Sequence, residues 1–358
     1  MKPTMYTYIK EQAHVLPDIL AKRAEIGKQF SEAFRQADYK RLIIVASGSS
    51  YHAAVSARYF IERTLKVEVQ IKNPFPFTHY ETQFGEDALV IGVSQSGRST
   101  ATIESMQKAE ERGLVHAAVS ASPASDFVQN SKYPVIVPCG DEKVGYVTLG
   151  YTSTILTLQL MVLECALQTG RIEKDSYDAH IRDFEHALRH VDDSIAAAEA
   201  WYENNREAFL QAERALIVGY GPNFGTALEG ALKVNETVRF AANGYEFEEF
   251  LHGPFLELNE KSYVFLISSE GAGEERMDRL QAFLRTVTQH VYKIGHGEQN
   301  PAEPRDMAIQ AGESEWVSPL EYVIPFQVLA HRLSADHNID VHTEKFPTFN
   351  EYVNFKKE

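Results

Sequence analysis

Ile91-Gly92-Val93-Ser94-Gln95-Ser96-Gly97-Arg98-Ser99-Thr100 joins an apolar run, Ala88 to Val93, to residues that read as a helix through Ala101 and Met106. Hydroxyls, a carboxamide and backbone N–H groups gather at that helix start. A helix N-terminus carries partial positive charge and unpaired donors, so it suits a phosphate. No lysine follows the glycine as in a nucleotide P-loop, so a small phosphorylated metabolite fits better than ATP. The plain alternative is an ordinary serine-rich turn with a capping serine.

Upstream, Leu42-Ile43-Ile44-Val45-Ala46 is a β-branched run ending in Ser47-Gly48-Ser49-Ser50, and a helical stretch follows from Tyr51 to Leu65. Further apolar runs are Val67 to Ile71, Ala117 to Ser120 and Pro134 to Val137, mostly separated by helical segments. Strands alternating with helices predict βαβ units and a parallel sheet. Ligands of such sheets sit beyond the carboxyl ends of the strands. Both serine clusters lie at such ends, which predicts one shared site. Before the first strand, Tyr6 to Ala37 reads as helical, interrupted near Pro17, with Ile19, Ile26 and Phe30 on one face. Gly145 to Gln168 is a long apolar helix candidate. Asp175 to Arg206 is charged and helical, with Phe184, Leu188, Val191 and Ile195 on one side, and reads as a connector.

The pattern then repeats. Leu216-Ile217-Val218-Gly219-Tyr220-Gly221 follows Ile43-Ile44-Val45-Ala46-Ser47-Gly48, and Val264-Phe265-Leu266-Ile267-Ser268-Ser269-Glu270-Gly271 follows Val90-Ile91-Gly92-Val93-Ser94-Gln95-Ser96-Gly97. Two matches in one order at nearly one offset indicate an internal duplication. Glu270 stands where the first copy has Ser96, and a carboxylate there repels phosphate. One phosphate site per chain is expected, in the first copy.

The second copy gains Thr226-Ala227-Leu228-Glu229-Gly230-Ala231-Leu232-Lys233-Val234-Asn235-Glu236-Thr237-Val238. Glu229, Lys233 and Glu236 share one helix face at i, i+4 and i+7. Periodicity alone favours a solvated Glu–Lys–Glu seam. The functional alternative is a carboxylate base with neighbours that tune it. His252, in Leu251-His252-Gly253-Pro254, is able to move protons near neutral pH, though a lone loop histidine is more often structural.

Composition sets bounds. The 358 residues carry a net charge of −15, which argues against nucleic acid or anionic membrane as the main partner. Cys139 and Cys165 both sit in apolar settings and read as buried thiols, without a disulfide framework or metal knuckle. Met1-Lys2-Pro3-Thr4 lacks a signal peptide, and no apolar run approaches membrane-spanning length. A cytoplasmic protein is expected, with no metal or organic cofactor.

Taken together, Ser47-Gly48-Ser49-Ser50, Ser94-Gln95-Ser96-Gly97, Ala227 to Glu236 and His252-Gly253-Pro254 resemble the SIS (sugar isomerase) family. The chain is most similar to the tandem-SIS isomerase half of glutamine–fructose-6-phosphate aminotransferase and to sugar-amine-6-phosphate deglycases. The resemblance implies an α/β fold of two tandem SIS subdomains, each a parallel sheet flanked by helices. Expected boundaries are a helical segment at 1–35, SIS domains at 36–172 and 207–345, a connector at 173–206 and a tail at 346–358. It further implies that Ser50, Ser94, Gln95, Ser96 and Ser99 bind a sugar 6-phosphate, with Ser49 and Gly97 in support. Glu236 would move a proton between C1 and C2, Glu229 and Lys233 would support it and touch the sugar, and His252 would assist ring opening. In the family this histidine reaches a neighbouring subunit's site, so a homodimer is implied.

Departures narrow the choice. No amidotransferase domain precedes the first subdomain, so the chain is expected not to draw ammonia from glutamine by itself. A tail lysine that the aminotransferase uses on its substrate falls near Phe349, and Lys345 is out of register. Val144-Gly145-Tyr146-Val147-Thr148-Leu149-Gly150 lacks the family's lysine, and Tyr146, with Thr148 nearby, suggests a different amine-side pocket. The expected activity is a deglycase for a sugar-amine 6-phosphate such as fructoselysine or glucoselysine 6-phosphate. An aldose–ketose isomerase or amino-sugar-phosphate deaminase is the first alternative, and a non-catalytic phosphosugar sensor the second. The aromatic tail, with Phe349, Tyr352 and Phe355, caps the site or simply packs.

Overall fold

The computed structural model describes residues 3–298, 300, 302–309 and 314–357. Met1, Lys2 and Glu358, at the ends of the expected first segment and tail, lie outside the described residues, as do 299, 301 and 310–313 of the expected second domain. The chain forms two compact units. The first-sheet unit comprises His14–Lys143, Leu149–Arg182 and Glu344–Glu358; the second-sheet unit comprises Met1–Ala13, Val144–Thr148 and Asp183–Thr343.

In the first-sheet unit, β1 (Arg41–Val45), β2 (Glu68–Lys72), β3 (Ala88–Val93), β4 (His116–Ser120) and β5 (Pro134–Ile136) lie in the order β2-β1-β3-β4-β5. All pairs are parallel, with Val45 opposite Gly92. Strand β3 is central and buried along its whole length, which is why it reads as an unbroken apolar run. Ile43, Val45, Val90, Met106, Ala118 and Phe127 form the core on one face. Helix Leu149–Gln168 packs against helices Arg23–Phe34 and Gly48–Leu65.

In the second-sheet unit, β6 (Arg214–Gly219), β7 (Ala241–Glu246), β8 (Tyr263–Ser268), β9 (Val291–His296) and β10 (Met307–Ile309) lie in the order β7-β6-β8-β9-β10. That is the same doubly wound order, strand for strand, as in the first sheet. Leu216, Val218, Phe250, Leu266, Met277 and Val291 fill one side. On the other, the Phe209 and Tyr292 rings meet at 4.9 Å, tilted by 51°, with Trp201 edge-on to Phe209 at 5.1 Å.

Several local expectations are corrected. Pro17 lies inside helix Met5–Ala21 without breaking it, and the break falls at Lys22. The helix after β1 begins at Gly48, not Tyr51, and the apolar helix begins at Leu149, not Gly145. That helix, Leu149–Gln168, is long and apolar enough to cross a membrane, contrary to the expectation that no run is. Every residue from Leu149 to Ala166 is buried, so its all-round apolarity is that of a core helix. Cys165 is buried as expected; Cys139 is only partly so, because it follows the edge strand β5.

Candidate functional site

Strand β3 ends at Val93 and the chain turns at once. The Ser94 N–H donates to the Val119 carbonyl at 3.0 Å, and the Gly97 N–H donates back to the Ser94 carbonyl at 2.9 Å. Gly97 has φ +67°, and a Cβ there would stand 2.2 Å from Ser125 Oγ, so only glycine closes this turn. Ser99 then precedes helix Thr100–Glu111. The neighbouring strand β1 likewise delivers Ser47 to helix Gly48–Leu65.

The two serine clusters meet. Ser50 Oγ accepts from the Gln95 N–H at 3.3 Å, Ser94 Oγ from the Ser99 N–H at 3.4 Å, and Ser96 Oγ from the Arg98 N–H at 3.4 Å. The Ser99 hydroxyl accepts from Thr102 Oγ1 at 2.9 Å. Ser50 and Ser94 are buried, while Ser49, Gln95, Ser96 and Ser99 are partly so. The three contacts to backbone N–H groups are longer than the usual 2.9–3.0 Å. Short polar side chains thus gather around two helix starts, a serine cradle of the kind that suits an anion.

The sequence did not announce the tail segment that pairs at the start of this cradle's helix. Residues Ser99 and Lys356 form an antiparallel bridge. The Thr100 N–H donates to the Phe355 carbonyl at 3.1 Å, and the Lys357 N–H donates to the Arg98 carbonyl at 2.8 Å. Asn350 shapes the strap: its Nδ2 donates to the Lys356 carbonyl and its Oδ1 accepts from the Lys356 N–H, both at 2.9 Å. Phe349 sits edge-on to Phe355 at 5.5 Å. The aromatic tail pattern was the only available signal, and it did not name a partner.

In the second-sheet unit, helix Asn223–Lys233 packs on β6, β7 and helix Ile324–Asp336. Gly244 permits the approach, since a Cβ there would stand 2.6 Å from the Ala227 carbonyl oxygen. The solvated seam that periodicity favoured is therefore overturned. Glu229 is 0% and Lys233 1% exposed, and Lys233 Nζ lies 3.3 Å from Glu229 Oε1 and 2.8 Å from Glu236 Oε2. Burial works against the Lys233 ammonium, but the two carboxylates overrule it and hold its pKa above the ordinary lysine value. Glu236, at 29% exposure, is the one member of the three that reaches solvent.

The continuous α-helix expected through Val238 is also corrected. The α-helix stops at Lys233 and a π turn runs from Val234 to Val238, closed by the Arg239 N–H donating to the Val234 carbonyl at 2.9 Å. The i, i+7 spacing thus does not describe how Glu236 is held. π turns inside helices occur frequently at functional sites.

His252 ends the short helix Phe247–Leu251, its N–H donating to the Glu249 carbonyl at 3.2 Å, and it is exposed. Tyr146 and Thr148 belong to the second-sheet unit. Tyr146 is half-buried, and the buried Thr148 accepts through its carbonyl from Gln327 Nε2 at 3.2 Å. Among the described residues, no three His, Cys, Asp or Glu side chains cluster as metal ligands would.

The SIS domain model matches residues 36–168 and 208–335. The chain belongs to the SIS domain family. Its first SIS repeat carries the two serine clusters and its second the Glu229–Lys233–Glu236 group, of which Glu236 reaches solvent. Over 352 residues it is 26% identical to glutamine–fructose-6-phosphate aminotransferase [isomerizing] of Bordetella parapertussis, covering 95% of this chain and 56% of the relative. The chain thus spans about half the length of that curated relative. A Clostridium difficile 630 structure, provisionally named a phosphosugar isomerase, superposes with a TM-score of 0.91 at 27% identity over 99% of both chains. A Salmonella typhimurium LT2 structure, provisionally named a sugar binding protein, does so at 0.80 and 29% identity, over 91% of this chain and 99% of that one. The SIS fold supports a sugar phosphate as the ligand.

Proposed function

We propose that this protein is an acid–base enzyme acting on a sugar 6-phosphate, and specifically a deglycase for a sugar-amine 6-phosphate such as fructoselysine or glucoselysine 6-phosphate. The observation that carries the reading is the solvent-reaching Glu236 carboxylate held by a fully buried Lys233 that also pairs with Glu229. Such a carboxylate is fixed in place yet open to a carbon acid.

In this reading Ser50, Ser94, Gln95, Ser96 and Ser99 hold the phosphate, with Ser49 and Gly97 shaping the cradle. On a C1-linked ketosamine, Glu236 takes a proton from C1 and an enaminol forms. The proton returns at C2, leaving a C1=N imine. Water adds at C1, the C–N bond breaks, and the amine leaves with a hexose 6-phosphate whose aldehyde is at C1. On a C2-linked amine the proton moves from C2 to C1, and the product is the ketose phosphate. His252 serves ring opening from a second subunit of a homodimer. Tyr146 and Thr148 shape the amine side. Positioning through the phosphate supplies proximity, and a general base adds roughly 10²–10⁴-fold.

Hexose 6-phosphate release from a panel of fructose- and glucose-derived amino-acid 6-phosphates tests the proposal, with Glu236→Gln as control. Release of free amino acid from one member, lost in the variant, is the expected result. Near wild-type turnover by Glu236→Gln on every accepted substrate would overturn it. The name carried by the Clostridium difficile neighbour favours a second reading, aldose–ketose isomerisation by the same groups. Interconversion of hexose 6-phosphates without amine release would select it.

A further inference from the structure

We infer that Asn235 is the positioning residue that aims Glu236, by fastening the π turn to the edge of the second sheet. The inference rests on the reading of Glu236 as the acid/base. Strand β7 is an edge strand, paired only with β6, with Ala242 opposite Ala215. Asn235 Nδ2 donates to the Ala242 carbonyl and Asn235 Oδ1 accepts from the Ala242 N–H, both at 2.9 Å. One carboxamide thus takes the place of a neighbouring strand at a single residue, satisfying both outward-facing groups of Ala242.

The turn is fastened on both sides of Glu236. Beyond it, Thr237 Oγ1 donates within the helix to the Lys233 carbonyl at 2.8 Å and contacts the Ala330 carbonyl of helix Ile324–Asp336 at 3.2 Å. A π turn holds one residue more than an α turn, so relaxation to α geometry rotates each later side chain by roughly 100°. Glu236 would then leave Lys233. Asparagine contributes little to helix propensity, and Asn235 is exposed, so core packing does not account for it. Its specific use is the pair of bonds to β7. Its exposure also means that truncation leaves no cavity, and the variant is expected to fold.

The test compares wild type, Asn235→Ala, Asn235→Asp and Glu236→Gln in the full chain. The kinetic readout is turnover of the sugar phosphate that wild type accepts. The readout that needs no turnover is the carboxyl resonance of Glu236 in protein labelled with [δ-¹³C]glutamate, assigned by its loss in Glu236→Gln. Expected for Asn235→Ala is a fall in kcat of about 10²-fold, the scale of a 1 Å misplacement, with KM within twofold and the resonance displaced. Asn235→Asp, which keeps the acceptor and loses the donor, is expected to fall between. An Asn235→Ala protein with wild-type kcat or an undisplaced resonance overturns the inference while Glu236→Gln remains inactive and the proposed function stands. A rise in KM alone also overturns it. If Glu236→Gln retains turnover, the functional reading fails first and this inference with it.

Discussion

Lys233 Nζ lies 2.8 Å from Glu236 Oε2 and 3.3 Å from Glu229 Oε1, with Lys233 and Glu229 both fully buried. One buried cation therefore serves two carboxylates, and their energies are tied together. Removing the cation takes from the buried Glu229 the ammonium that lies 3.3 Å from its Oε1. Lys233→Met is expected to cost about 3–5 kcal/mol of stability, and adding Glu229→Gln to recover part of it. Urea unfolding of the two variants checks this; equal stability of single and double variants contradicts it.

The cradle glycines differ in what surrounds them. Gly48 and Gly97 both have positive φ, but a Cβ at Gly48 meets nothing within 4 Å, whereas at Gly97 it meets Ser125. Gly48→Ala is expected to cost about 1 kcal/mol in backbone strain, and Gly97→Ala distinctly more. Titration calorimetry with glucose 6-phosphate is expected to show weakened binding for Gly97→Ala beyond that of Gly48→Ala.

The strap over the cradle's helix hangs on one side chain. Asn350→Ala removes two hydrogen bonds worth about 1 kcal/mol each. The Thr100 and Lys357 amides are then expected to exchange hydrogen about tenfold faster or more. Amide exchange followed by mass spectrometry checks this, with the Gly97 amide, tied to the Ser94 carbonyl, and the Ser94 amide, tied to β4, as internal reference.

Acid destabilisation follows from two histidines. Burial lowers the pKa of His116 and of His331, which stacks on Tyr6 at 5.3 Å. A folded pKa below the unfolded value of about 6.5 means that the unfolded chain takes up the proton first. The associated stability is present above about pH 6.5 and declines as pH falls below it. His331→Phe keeps a ring against Tyr6 and removes the titration. Thermal unfolding from pH 8 to 5 is expected to show a shallower acid slope for this variant.

Much of this was legible beforehand, for identifiable reasons. The alternation of β-branched runs with helices gave the two parallel sheets. Ser50 and Ser94 were joined by the rule that parallel strands deliver their loops to one end. What escaped was set by tertiary neighbours. Glu229 and Lys233 read as a surface seam because periodicity reports a face, not whether it is covered, and both side chains are buried. The π turn was invisible because Val234 to Val238 is compatible with an α-helix. Pro17 failed as a breaker because its helix tolerates it. The bridge from Ser99 to Lys356 spans most of the chain, and no local pattern encodes such a pairing.

The two sheets share one strand order, yet the first carries the serine cradle after β1 and β3, while the loop after β8, which matches that after β3, holds the exposed Glu270. Duplication creates redundancy, and redundancy relaxes selection on whichever copy gives up a task. Equivalent positions should therefore differ in mutational tolerance. Saturation mutagenesis should find Ser94 to Gly97 intolerant, whereas Ser268 to Gly271 drifts under the milder demand of keeping a strand-to-helix turn closed.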